Sequence, residues 1–361
     1  MQPGNYSVIT GSGSYIPTRR IVNEDFINHV FYDPDGTKQV RPTAEIIKKL
    51  EKITGIKERR YVTDDLVTSD IAFLAAKEAL TSSGTDPESL DYIIVAHNFG
   101  DIRADNRISE FVPALASRVK YRLQVTNPLT VAVDLPFGCA GWLQGLIQAD
   151  RLLKSGYAKK IMVIGAETLS RICDPHDRDS MIYSDGAGAV IVEAVGCENP
   201  VGILAETVKS YAGDLAYLIR MGVSANPAFG ERTLFLKMNG HKLYENILRT
   251  VPGMIRETLE KAELSLCEID KFLIHQANEK MDEAILKQLF SLYGLPGPSK
   301  HLMPMTISCL GNSSVATLPT MFDLMSKGKL ENHAVSRGQR LVFAAMGAGV
   351  NMNTVVYKVP D

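Results

Sequence analysis

The sequence lacks the features that mark several classes of protein. Its 361 residues carry a formal charge of −2 at pH 7, so no broad basic surface is available for nucleic acid or an anionic membrane. No apolar run approaches the roughly 18 residues that a membrane span requires. The first six residues lack the charged and apolar segments of a signal peptide. We therefore expect a cytoplasmic protein without a nucleic-acid or membrane partner.

Cysteine is scarce, and its pattern excludes two kinds of structure. The sequence has five cysteines, an odd number, without C-x-x-C spacing and without a histidine at metal-ligand spacing. They are Cys139, Cys173, Cys197, Cys267 and Cys309. A disulfide framework and a zinc site are both disfavoured by this pattern. We expect a protein without metal in which one thiol is reactive.

A weak internal duplication organises the chain. Residues 78–98 read as a helix, a loop and a buried strand, and the same order recurs from Glu257 to His275. Glu78 aligns with Glu257 and Asp91 with Asp270 (257 − 78 = 270 − 91 = 179), so the copies align without a gap. The sequence therefore predicts two related halves, residues 1–199 and 200–361.

The strands predicted in both halves are continuously apolar, and helices alternate with them. Examples are residues 92–96, 161–165, 272–274 and 341–345. Such strands are buried on both faces, in a mixed or largely parallel sheet that helices cover. Two such halves would stack into a layered α/β/α/β/α body.

Cys139 is the candidate nucleophile. It follows the apolar residues 131–135 and opens a predicted helix with Trp142 and Leu146 on one face. The unpaired N–H groups and the positive dipole at a helix N-terminus stabilise a thiolate. The small neighbours Gly138 and Ala140 permit a tight turn between strand and helix. The pattern alone leaves open an ordinary core cysteine.

Two further polar residues are predicted close to this thiol. His275 ends the apolar residues 272–274, and Asn312 lies in the turn formed by residues 311–314. Sites in α/β proteins assemble at such strand ends. Both side chains can offer N–H donors to a developing enolate or thioester oxygen. Taken alone, His275 is equally compatible with a histidine of the core.

These residues lie in motifs that resemble a known family. Residues 138–141 (GCAG), 274–278 (IHQAN) and 311–314 (GNSS) look like the three active-site signatures of ketoacyl-acyl-carrier-protein synthase III. Residues 9–17, 54–59, 173–178 and 184–189 agree as well, in order and over nearly the whole chain. The resemblance implies the thiolase fold, whose duplicated halves explain the repeat, and a homodimer.

The resemblance also implies a reaction. An acyl group would move from coenzyme A or acyl carrier protein onto Cys139, and His275 and Asn312 would stabilise the enolate of a second thioester. The backbone N–H of Cys139 and a glycine loop containing Gly347 and Gly349 would hold the oxyanion. No cofactor is implied, because the substrates are themselves acyl thioesters.

Several positions depart from the family pattern in ways that bear on the substrate. Lys49 and Ile53 stand where a tryptophan and an arginine commonly sandwich the adenine of coenzyme A. The other departures form a predicted acyl pocket of Phe111, Val112, Phe137 and Met346. A flexible methionine, in place of an aromatic ring, reshapes a pocket readily. These departures favour longer or carrier-bound acyl chains.

The subfamily is a hypothesis with alternatives. Residues 95–101 and 174–180 resemble ketosynthases that build dialkylresorcinols by joining a β-ketoacyl thioester to an unsaturated one and cyclising the product. The alternatives are a synthase that initiates fatty acids, an acyltransferase of the same family, and a non-catalytic partner subunit. For docking of a carrier protein or coenzyme A, the motif positions suggest Arg178, Lys280 and Asn278, with ordinary surface polarity as the alternative.

Overall fold

Two β-sheets form the centre of the computed structural model of this chain, which describes residues 4–230, 233–299 and 301–361. Residues 1–3, part of the segment used in the signal-peptide argument, lie outside the described residues. Within the described ranges, no helix combines the length and apolar character needed to cross a membrane.

The strands are numbered along the chain. They are β1 Gly4–Tyr15, β2 Arg19–Val22, β3 Glu58–Tyr61, β4 Tyr92–His97, β5 Val131–Pro136, β6 Lys160–Thr168, β7 Asp185–Cys197, β8 Gly202–Ser210, β9 Ile219–Gly222, β10 Phe235–Met238, β11 Lys271–Ile274, β12 Arg340–Gly347 and β13 Asn351–Lys358. Two short pairs, β2 with β3 and β9 with β10, lie outside the two main sheets.

The α-helices are numbered in the same way. They are α1 Thr43–Thr54, α2 Thr68–Ser83, α3 Leu115–Arg122, α4 Gly141–Lys154, α5 Ala212–Leu215, α6 Gly240–Lys261, α7 Glu279–Leu292, α8 Ile307–Leu310 and α9 Thr317–Ser326. Three single-turn 3₁₀ segments matter for the site, namely Gly138–Ala140, Ser314–Ala316 and Ala348–Val350.

The two main sheets repeat one pattern of pairing. The first has the order β1-β7-β6-β4-β5, and the second has the order β11-β12-β13-β8. In each sheet, one parallel pair (β4 with β6, β11 with β12) is followed by two antiparallel pairs. The predicted duplication is therefore present in the strand order, and β5 is the additional strand of the first sheet. The domain division at residues 199 and 200 stays a prediction.

Helices cover both faces of both sheets. Helices α2 and α3 pack on the outer face of the first sheet, and α6 and α7 pack on the outer face of the second. Between the sheets lie α4 and α9, whose Trp142 and Met321 share one core with Phe343 of β12. The predicted five-layer α/β/α/β/α body is confirmed.

Strand β4 shows why the predicted strands are continuously apolar. Ile93 and Val95 point into the core beneath α2, whereas Ile94 and Ala96 point into the central core between the sheets. All four are at most 1% exposed. Burial of a large aliphatic side chain contributes about 1.5–3 kcal/mol, so both faces of such a strand stabilise the fold.

Candidate active site

The turn at Cys139 connects the end of β5 to the beginning of α4. Gly138 starts this turn with a φ of +67°, a conformation that side-chain-bearing residues rarely adopt. Gly347, the last residue of β12, packs directly over it. A Cβ atom at Gly347 would lie only 2.5 Å from the backbone nitrogen of Cys139. The last strand of the second half thus contacts the candidate nucleophile through backbone atoms.

The thiol of Cys139 is half-buried and has a hydroxyl neighbour. Ser314 Oγ donates a hydrogen bond to Cys139 Sγ at 3.2 Å. Desolvation raises the pKa of Cys139 to about 11, although the Ser314 hydrogen bond acts in the opposite direction. The position of Cys139 at the beginning of a helix predicts a stabilised thiolate. Burial of the sulfur instead favours the neutral thiol in the resting site.

His275 follows β11 and is neutral at physiological pH. Its backbone N–H donates to Ala344 O at 2.8 Å, which fixes it beside β12. The imidazole is 2% exposed, and desolvation lowers its pKa to about 4. Its Nδ1 has no hydrogen-bond partner among the described residues. A neutral imidazole retains one N–H, so His275 can act as a hydrogen-bond donor.

Asn312 is held rigidly between α8 and the turn Ser314–Ala316. Its backbone N–H donates to Ile182 O at 3.0 Å, and its carbonyl accepts from Ser184 N at 2.8 Å. Its side-chain oxygen accepts the N–H of Ser314 at 2.9 Å. Because the amide oxygen is engaged in this way, the NH₂ group is the part of the side chain suited to donate to a ligand.

These side chains line one cavity of about 260 Å³. Its lining includes Cys139, His275 and Asn312, together with Met346 and Gly347 from the end of β12. The rest of the lining is mostly apolar, with a few polar groups, and consists of Asn98, Phe99, Gly138, Leu169, Tyr183, Ile219, Arg220, Met221, Leu236, Met238, Leu243, Ile247, Ala277, Met281, Ser314 and Ala348. An apolar cavity with a few convergent polar groups is suited to a thioester with an acyl or pantetheine chain.

Four other predicted residues lie outside this lining. Phe137 packs against the central core between the sheets. Gly349, with a φ of +74°, lies in the turn Ala348–Val350. Phe111 and Val112 are 49% and 89% exposed in the single chain. The pocket and oxyanion roles of these residues stay predictions.

None of the predicted docking residues lines the cavity, although Asn278 and Lys280 are chain neighbours of the lining residues Ala277 and Met281. Asn278 is the N-cap of α7, and its side-chain oxygen accepts the N–H of Met281 at 3.1 Å. This cap accounts for the residue structurally. Lys280 and Arg178 are exposed. A docking role of all three residues stays a prediction.

Sequence reasoning missed two polar residues behind the thiol. Asn98 lines the cavity, and its side chain and backbone N–H both donate to Glu167 at the end of β6. Desolvation raises the pKa of Glu167 to about 7, and His97 and Asn98 act against this rise. The available signal was an acidic residue directly after the apolar run 161–166. In the described ranges, no group of three or more His, Cys, Asp or Glu side chains could hold a metal.

Comparison with known proteins identifies the class. Residues 133–212 match the family described as 3-oxoacyl-[acyl-carrier-protein (ACP)] synthase III, and residues 259–359 match its C-terminal counterpart. The β-ketoacyl-[acyl-carrier-protein] synthase III 1 of Vibrio cholerae is 31% identical over 354 residues, which cover 98% of this chain and 99% of that relative.

Solved structures agree with this assignment. The 3-oxoacyl-[acyl-carrier-protein] synthase III of Aquifex aeolicus superposes with a TM-score of 0.76 at 28% identity, covering 98% of this chain and 99% of that chain. OleA of Xanthomonas campestris shares the fold, with a TM-score of 0.75 at 16% identity and 99% of each chain covered.

The chain is thus a condensing enzyme with the thiolase fold. It belongs to the 3-oxoacyl-[acyl-carrier-protein] synthase III family, whose members are acyl-condensing transferases.

The depressed pKa of His275 predicts a specific dependence of stability on pH. An unfolded chain protonates this histidine below a pH of about 6.5, whereas the native state does so only near 4. The native state therefore loses stability as the pH falls through this range, by up to about 3 kcal/mol. Replacement by asparagine should remove this component.

Urea unfolding of wild type and His275→Asn between pH 7.5 and about 4.5 measures the effect. The unfolding free energy of the wild type, relative to the variant, should fall as the pH is lowered. His241→Asn, which removes an exposed imidazole from α6, is the matched control. The prediction would be contradicted if the difference in unfolding free energy between wild type and His275→Asn stayed constant with pH.

Proposed function

We propose that this enzyme carries an acyl group on Cys139 and condenses it with a malonyl thioester, as a 3-oxoacyl-[acyl-carrier-protein] synthase III. The observation that carries the proposal is the cavity of about 260 Å³, in which Cys139 meets the two N–H donors His275 and Asn312. The names of the relatives support this reaction over the dialkylresorcinol hypothesis.

The first half of the reaction is acyl transfer. The sulfur of Cys139 attacks the thioester carbonyl, the bond from that carbon to the donor sulfur breaks, and the thiol proton leaves with the released thiol. The oxyanion of the tetrahedral intermediate would accept hydrogen bonds from the backbone N–H of Cys139 and from the glycine loop that contains Gly347 and Gly349. Close contact between Gly347 and the Cys139 turn supports this assignment.

The second half is decarboxylative condensation. Loss of carbon dioxide from a malonyl thioester leaves an enolate, whose oxygen would accept hydrogen bonds from His275 and Asn312. Because burial keeps the pKa of His275 at about 4, the imidazole contributes an N–H dipole and no positive charge at neutral pH. The enolate carbon then attacks the acyl-Cys139 carbonyl, and the cysteine sulfur leaves. These steps require no cofactor beyond the thioesters themselves.

We further propose that the malonyl substrate is delivered by acyl carrier protein, the partner that the names of the relatives contain. Exposed Lys280 precedes Met281 of the cavity lining, so a positive charge lies close to the site. Together with exposed Arg178 it could meet an acidic carrier surface. The apolar lining, with Met346 in place of a ring, favours an adaptable acyl chain.

A second candidate is the condensation of two longer acyl thioesters, as in dialkylresorcinol synthesis. Ile53 is 39% exposed on α1, where the family pattern has a residue of the adenine clamp. This departure favours a carrier-bound donor over coenzyme A. An acyltransferase would use Cys139 without requiring Asn312, and a non-catalytic partner subunit would use neither residue.

Intact mass spectrometry after incubation with a panel of acyl thioesters tests the central proposal. Wild type should gain the mass of one acyl group, and Cys139→Ala should gain none. Addition of malonyl-acyl carrier protein should then release a β-ketoacyl product together with carbon dioxide. A cyclised product formed only from a β-ketoacyl and an unsaturated thioester would support the second candidate instead. No adduct with any thioester would overturn both.

We also propose a homodimer that forms along β5. This strand is the outer member of the first sheet, with Val131 and Val133 44% and 40% exposed. Leu129, two residues before Val131 and 79% exposed, extends the apolar patch. Val112, 89% exposed, lies three residues before Leu115, whose N–H donates to Asp134 of β5. An uncovered apolar edge strand is a template for pairing with another chain. A second copy would also cover Phe111 and Val112, as their predicted pocket role requires.

Light scattering coupled to gel filtration tests the dimer. Wild type should have about twice the 39.6 kDa chain mass. Val133→Lys should shift the protein to the monomer, because it places a charge in the apolar edge. Val208→Lys, on the edge strand β8 of the other sheet and 38% exposed, is the matched control and should remain dimeric. A monomeric wild type would contradict the proposal.

A further inference from the structure

A chain of partly buried hydrogen bonds leads from Glu167 to the sulfur of Cys139. The backbone N–H of Asn98 donates to Glu167 Oε2 at 2.8 Å, and its side-chain amide donates to the same oxygen. The same amide nitrogen donates to Ser314 Oγ at 3.0 Å. Ser314 Oγ lies 3.2 Å from Cys139 Sγ. Four elements supply these residues, namely β6, the loop after β4, the turn before α9 and the turn before α4.

Buried Glu167 fixes the donor and the acceptor of each hydrogen bond in this series. Glu167 Oε2 accepts the backbone N–H of Asn98, which can only donate, so the side-chain group that Asn98 turns to the same oxygen is its NH₂. The second N–H of that group then points at the Ser314 oxygen. Because the oxygen of Ser314 is engaged as an acceptor, its hydroxyl proton is left for the sulfur. Glu167 is fully buried, and its Oε1 has no hydrogen-bond partner among the described residues.

We propose that Ser314 is the hydrogen-bond donor that stabilises the Cys139 thiolate, and that Asn98 and Glu167 are positioning residues that fix the direction of this bond. The inference rests on the proposed function, in which Cys139 is the nucleophile. A neutral thiol is a poor nucleophile, so a donor aimed at the sulfur is what a buried cysteine in this site requires.

Glu167 and Ser314 have opposite effects on the pKa of Cys139. The negative charge of ionised Glu167 disfavours a negative sulfur, so it raises the pKa of Cys139 while Ser314 lowers it. Burial holds the pKa of Glu167 near 7, so this charge changes close to neutral pH. The other titratable or charged groups that face this site are His97 on β4, Tyr183 before β7, His275 after β11 and Arg220 on β9.

The two influences predict opposite effects of two substitutions. Ser314→Ala removes the donor to the sulfur. Loss of a hydrogen bond to a charged group should raise the apparent pKa of the thiol by about 1–2 pH units. Glu167→Gln keeps an oxygen that accepts from Asn98 and removes the charge, so it should lower the apparent pKa. Merely structural damage would not move the two variants in opposite directions.

The measurement is the rate of Cys139 alkylation by iodoacetamide as a function of pH. Peptide mass spectrometry separates Cys139 from the exposed Cys267 and Cys309. Ser313→Ala is the matched control, because this neighbouring buried hydroxyl contacts Thr317 Oγ1 at 3.3 Å and not the sulfur. Its profile should follow wild type.

Each outcome decides the proposal. The proposal is supported if the apparent pKa of the Cys139 thiol rises in Ser314→Ala and falls in Glu167→Gln. If either profile coincides with that of Ser313→Ala, or if both shift in the same direction, the proposal is wrong. Should Ser314→Ala fail to fold, Ser314→Gly removes the same hydroxyl at a position whose φ of +54° suits glycine, and it should raise the apparent pKa of the thiol in the same way. Failure of the proposed function is separate, because it would appear as a wild-type Cys139 that no acyl thioester modifies.

Discussion

The site depends on one backbone contact between the two halves, that of Gly347 with the turn at Cys139. With the Cβ position of Gly347 only 2.5 Å from the Cys139 nitrogen, β12 approaches the candidate nucleophile at a distance that only glycine permits. A similar approach occurs at Gly165 of β6, where a Cβ atom would lie 2.3 Å from Val315 O. Each half thus packs a strand closely against a turn that the other half supplies.

This arrangement explains why the candidate catalytic groups come from separate segments. The helices α4 and α9 lie side by side in the central layer, so the turns that precede them bring Cys139 and Asn312 into one cavity. His275 joins them because β11 pairs in parallel with β12. Burial in this layer has an electrostatic cost. It raises the pKa of Cys139 and lowers that of His275, so both side chains are neutral in the resting site.

Much of the fold could be predicted, because continuous apolar runs and a gapless internal repeat specify buried strands in two related halves. The turn at Cys139 and the strand end at His275 followed from the same patterns. The network from Glu167 to Ser314 could not be predicted, since its bonds join residues 69 and 216 positions apart. The pKa of the thiol depends on that packing as well. Val131 and Val133 of strand β5 are exposed in the single chain, which is why we propose a second copy there.

The central claim is that contact between Gly347 and the Cys139 turn assembles the site, and Gly347→Ala tests it most directly. The quantity to measure is the rate at which an acyl thioester modifies Cys139. The added methyl group must displace the turn and the proposed oxyanion donor, the Cys139 backbone N–H, so the rate should fall by about 100-fold or more. Gly297→Ala, at an exposed position where a Cβ atom meets nothing within 4 Å, should acylate at the wild-type rate. A Gly347→Ala enzyme that acylates as fast as this control would contradict the account.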